Sequence, residues 1–134
     1  MGFDDLVDDM WTEAQKPVIK QMYVLYERWA NEHLKNPRCA IKFIIFLKKP
    51  AAEEILFDAL IWLKEAISQV SDYFWGERDI QDWLVSLLDQ CWRCHQLKLR
   101  QQQTSFNAFK ELLKKLADFQ NPMALEIQQR VASI

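Results

Sequence analysis

Residues 50–75 read PAAEEILFDALIWLKEAISQVSDYFW, and this stretch decides the fold class. Apolar side chains fall at Ile55, Leu56, Ala59, Leu60, Leu63, Ala66, Ile67, Val70 and Phe74, in steps of one, three and four. That spacing puts them on one stripe of a helix with 3.6 residues per turn. Pro50 suits a first helical turn, because its missing N–H would have no partner there. Glu53 and Glu54 follow, where the positive end of the helix dipole favours acids. Gly76 stands where a left-handed C-cap is expected.

The same reading extends outward. Upstream, Phe3, Val7, Met10, Ala14, Val18, Met22, Leu25 and Trp29 make one helical stripe over residues 3–34, kinked or split at Pro17. Asn36-Pro37 is an N-cap followed by a first-turn proline, and it opens a helix over 37–49 that is apolar nearly all round. Downstream, Asp79 is the expected cap of a helix over 79–102, with Asp82 three residues on. Thr104 or Ser105 is expected to cap a helix over 105–119. Asn121-Pro122 repeats the start signal and opens a last helix over 122–132.

These elements predict an all-α chain: a compact bundle of five or six helices forming one domain over residues 1–134. The composition agrees. Half of the residues are hydrophobic, with six Trp and eight Phe, enough for a real core and too many for global disorder. The two glycines, Gly2 and Gly76, cannot serve an all-β domain, which needs turn residues about every 8–12 positions. No apolar run, Phe43 to Leu47 included, exceeds five residues, which is too short to span a bilayer. An acidic N-terminus gives no sign of a secretory leader, and three cysteines do not form a disulfide framework. The expectation is a soluble cytoplasmic protein with no membrane partner.

Charge is distributed in blocks although its net value is only −2. Residues 1–15 hold five acids and no base; residues 35–49 hold five bases and no acid. Residues 53–89 hold nine acids against two bases, and 93–115 hold six bases against Glu111. Arg38, Lys42 and Lys49 share a face of the 37–49 helix, and Lys110 and Lys114 share a face of the 105–119 helix. Side by side, these two faces make a basic strip able to contact phosphates or an acidic partner. The plainer alternative is that the bases face the acidic helix within the bundle, or face water. Trp75 and Trp92 are the aromatic residues expected to be partly exposed, as anchors for a partner.

The sharpest local pattern is Cys91-Trp92-Arg93-Cys94-His95. Formally it is the Cys-x-x-Cys-His attachment motif of c-type haem, with His95 as the iron ligand. A helical bundle of this length resembles the cytochrome c-prime class in size, although that class carries its motif close to the C-terminus and here 39 residues follow it. Zinc is the second cofactor these residues suggest. Cys91 and Cys94 lie three apart on a helix, but His95 points about 100° away from Cys94. A structural site also wants four protein ligands, and Cys39 would supply only a third thiolate. The simplest reading makes Cys91 a core residue on the stripe of Trp83, Leu84, Leu87 and Leu88.

No nucleophile–base pair and no glycine-rich phosphate loop is legible. The expected role is therefore a non-enzymatic protein–protein interaction module or small assembly subunit. Its first alternative is a nucleic-acid backbone binder within a ribonucleoprotein, and its second is a c-type haem protein.

Overall fold

A computed structural model describes residues 13, 16–33, 35, 43, 53–69 and 72–133. Six helices run through them: α1 Lys16–His33, α2 Glu53–Gln69, α3 Asp72–Trp75, α4 Arg78–Gln101, α5 Gln103–Asp118 and α6 Pro122–Ala132. Among the described residues there is no strand. The architecture is an all-α bundle, and no helix among these residues is long and apolar enough to cross a membrane. The expected segments 3–15, 37–49 and 50–52 lie outside the described residues, apart from Glu13 and Phe43.

Helix α5 occupies the centre. It packs on α2 across one flank and on α4 and α6 across the other, while α1 lies on the far side of α2. Its sequence explains the position. Ser105, Ala108, Phe109, Leu112, Leu113 and Leu116 are buried, and Asn107, Lys110, Glu111 and Lys114 between them are exposed. Steps of one and three make this inward stripe wide enough to meet neighbours on both sides.

Two aromatic clusters fill the bundle. Tyr26 of α1, Trp62 of α2 and Phe43 pack with ring centroids 5.4–5.6 Å apart. Trp92 of α4 lies 6.3 Å from Phe106 and 5.9 Å from Phe109 of α5, with near-parallel rings. Offset pairs of this kind contribute about 0.5–1.5 kcal/mol each beyond simple burial.

Helix starts follow local rules in some places and tertiary demands in others. Pro17 is the second residue of α1, within the first turn, where its missing N–H costs nothing. Asn121 caps α6 as expected: its Oδ1 accepts from the Ala124 N–H at 3.1 Å, and Pro122 follows it. The same Asn121 donates through Nδ2 to Gln81 Oε1 at 2.9 Å, and Gln81 Nε2 donates to the Trp75 carbonyl at 2.9 Å. This relay ties α6, α4 and α3 together with buried or half-buried groups that satisfy one another.

Four expectations are corrected. The single helix expected over 50–75 is two elements, because Asp72 begins a new short helix, α3. Asp72 then reaches across to Lys115 Nζ at 2.9 Å. Gly76 is not left-handed, and no described glycine is. Its lack of a side chain serves closeness instead, since a Cβ there would stand 3.2 Å from the Asp72 carbonyl and 3.4 Å from the Phe119 ring. Helix α4 starts at Arg78 with Glu77 at the cap position, not Asp79, and no side chain closes that cap. Helix α5 starts at Gln103, with neither Thr104 nor Ser105 as its cap. Ser105 is buried, and its hydroxyl donates to the Phe57 carbonyl of α2 at 3.3 Å, so a tertiary bond has taken the capping group.

Leu60 and Leu63 of α2 have no exposed surface, and they stand where α2 meets its packed neighbours. Replacing either with Ala should lower stability by about 2–5 kcal/mol, the cost of a lost side chain plus the cavity left behind. Denaturant unfolding followed by circular dichroism measures this; an unshifted midpoint would show that α2 is not core.

Candidate interaction groove

The last turns of α4 and α6 flank the first half of α5, and a groove of about 540 Å³ opens between the three helices. Trp92 and Phe106 form its aromatic floor, and Leu113, Val131 and Ala132 form apolar walls. Arg100, Lys110 and Gln128 supply its polar groups. A volume of this size lies within the usual range for a specific binding site, about 300–1,000 Å³.

Each lining residue is placed by its helix. Lys110 lies one turn after Phe106 on α5, and its ammonium sits over the Phe106 ring, 4.6 Å from the centroid. A cation over a π face is held there electrostatically, so this ammonium is ordered at the rim. Arg100 follows the fully buried Leu99, which pins the end of α4 and leaves the guanidinium exposed. A single residue, Gln102, then separates α4 from α5, and its carbonyl accepts the Phe106 N–H at 2.8 Å. That tight corner brings Arg100, Phe106 and Lys110 to one groove although up to ten positions separate them.

Six of the described bases fall into two sets. Lys115 pairs with Asp72 at 2.9 Å, Arg93 with Asp89 at 3.0 Å, and Lys64 with Glu111 at 3.8 Å. Here bases do face acids within the bundle. Arg100, Lys110 and Lys114 are exposed, and among the described residues no carboxylate lies within ion-pair distance of any of them. No acid lines the groove.

Of the residues singled out in the sequence, Lys110 lines this groove and Lys114 stands one turn beyond it on the same face. Arg38, Lys42 and Lys49 lie outside the described residues, so the other half of the basic strip does too. Trp75 and Trp92 are not the exposed aromatics expected. Trp75 is fully buried and Trp92 is 5% exposed. Trp75 faces into the core, whereas Trp92 closes the bottom of the groove under Phe106. Arg100 was missed. Its signal was a lone arginine directly after the last buried leucine of an amphipathic helix.

Cys91, Cys94 and His95 do not converge. Cys91 is fully buried and Cys94 is exposed. Burial, with a smaller contribution from Cys94, pushes the Cys91 thiol from an ordinary 9.0 up to about 12. His95 departs from helical geometry at φ −133°, ψ 18°, and its ring meets the edge of Phe57 at 6.0 Å. A c-type haem needs both thiols at the porphyrin edge, and a sealed Cys91 cannot reach one without opening the core. Among the described residues no group of three His, Cys, Asp or Glu is placed to hold a metal ion, and Cys39, the third thiolate considered for zinc, lies outside them.

Alkylation of the native protein should modify Cys94 and spare Cys91 until denaturant is added, as read by peptide mass mapping; rapid native labelling of Cys91 would contradict its burial. The raised Cys91 thiol also fixes a direction with pH. Its contribution to stability is fully present below pH 9 and is lost as pH rises towards 12, because only the unfolded chain releases that proton readily. Cys91→Ala should flatten the alkaline slope.

Compared with family models, with curated proteins and with solved structures, the chain finds no match in any of the three.

Proposed function

We propose that this chain is a non-enzymatic helical interaction module, or a small assembly subunit, which recognises another protein through the α4–α5–α6 groove. The observation that carries this reading is the pairing of an apolar, aromatic-floored groove with two cations, Arg100 and Lys110, that have no carboxylate partner among the described residues. Aromatic and arginine side chains dominate the energetic centres of protein interfaces. Uncompensated charge at such a groove steers and selects partners rather than stabilising the fold. The groove's polar groups are two cations and an amide, with no carboxylate, imidazole or thiol among them, which suits binding better than acid–base chemistry.

The second reading is a nucleic-acid backbone binder. Arg100, Lys110 and Lys114 favour it, since phosphates would neutralise all three. The apolar walls favour protein, because a phosphate backbone has no apolar side chain to place against Leu113 and Val131.

Affinity capture from the native host with mass spectrometry, run with and without nuclease, separates the two. The wild-type chain should retain a protein in both conditions, and the double reversal Arg100→Glu, Lys110→Glu should lose it while keeping its circular-dichroism spectrum. A partner lost on nuclease treatment supports the phosphate reading. A partner kept by the double reversal contradicts the groove.

A further inference from the structure

The groove's own chemistry says more about its occupant. We infer that it docks an acidic amphipathic helix of the partner protein, with an apolar side chain seated against Leu113 and Val131 and carboxylates reaching Arg100 and Lys110. This rests on the groove being the module's docking face.

Charge sets the sign of the occupant. Both lining cations lack a carboxylate among the described residues, and no acid lies between them to repel an incoming one. Elsewhere in the bundle Lys115 has Asp72 and Lys64 has Glu111, whereas Lys114, one turn beyond Lys110 on its face, also has no carboxylate among the described residues. The bases without a carboxylate thus include both cations of the groove and extend one turn beyond it. Lys110 is already held over the Phe106 ring at 4.6 Å, so less rotamer freedom is lost when a carboxylate arrives. The partly desolvated apolar walls strengthen the ion pairs that form there.

Shape sets the form of the occupant. Three helices frame the groove, and no strand among the described residues offers an edge that an extended peptide could join. A mode that suits such a frame is a helix laid into a groove, with anchors at i and i+4 and polar residues on either flank. Leu113 and Val131 supply apolar surface for those anchors, and the guanidinium of Arg100 supplies a fork suited to a carboxylate.

The test uses the full chain and two fluorescently labelled helical peptides. One carries Phe and Leu at i and i+4 with Glu on both flanks; its twin has every Glu replaced by Lys. Fluorescence anisotropy should show the acidic peptide binding at least about tenfold tighter, with the difference shrinking at high salt. Arg100→Gln with Lys110→Gln should remove about tenfold or more of that affinity. Lys64→Gln, outside the groove, should leave it unchanged. Both groove residues are exposed, so the fold is expected to survive their replacement, which circular dichroism verifies.

Equal affinity for the twins, or affinity unaffected by the double substitution, overturns the inference. So does a dimer of this chain dispersed by the double substitution, which would make a second copy the occupant. So does single-stranded RNA displacing the acidic peptide through the same two residues. A captured protein that docks in the groove through a neutral or basic segment leaves the module reading standing and removes only this inference. An acidic peptide that binds while no groove-dependent partner is captured does the reverse.

Discussion

Helix α5 is the constraint on which the rest of the described structure depends. Its inward stripe is shared between α2 on one flank and α4 and α6 on the other, so neither contact can change without the other. Close packing makes such a shared surface stiff: a side chain that fits both sides has little room to adapt to one. Phe109 is fully buried in this stripe and stacks on Trp92 of α4. The groove is a by-product of the arrangement. Where α4 ends and turns sharply at Gln102, the flank of α5 carrying Phe106 and Lys110 is only partly covered by its neighbours.

Magnitudes decide what the charges are for. An exposed ion pair contributes about 0–1 kcal/mol, so the pairs Lys64–Glu111 and Arg93–Asp89 add little to a fold held by aromatic and leucine burial. Pairing was available in this acidic chain, yet Arg100 and Lys110 have no acid among the described residues. Charge that forms no ion pair but sits at an apolar groove is most useful in recognition, where it governs encounter rate and the rejection of wrong partners.

Much of the fold was legible from helical spacing. The stripes of α2, α4 and α5 were read from positions such as Leu60, Leu84 and Leu112, and all three are buried. The ends were less legible, because a capping side chain serves whichever partner is nearest in space. Asn121 met its own helix and did as its sequence neighbours suggested. Ser105 met the Phe57 carbonyl of α2 instead, a partner 48 positions away that no local pattern reveals. Gly76 was chosen for the approach of Phe119, not for its dihedral freedom. At the groove, Lys110 and Arg100 both fall in the basic block 93–115, but only Lys110 was assigned to a basic face, since the place of Arg100 comes from the turn at Gln102. Trp92 was expected at the surface for its size and count; burial against Phe106 and Phe109 won, as it does for most large apolar rings.

The most direct test of α5 as the shared wedge is thermal unfolding of Phe109→Ala, followed in one sample by far-ultraviolet circular dichroism and by tryptophan fluorescence. Truncating a buried phenylalanine costs about 3–5 kcal/mol. If both flanks depend on this helix, the two signals should fall together, at a midpoint lowered by several degrees. A fluorescence change well below an unshifted loss of helicity would contradict the account, because α4 would then separate from α5 while α2 and the rest of the bundle stayed folded.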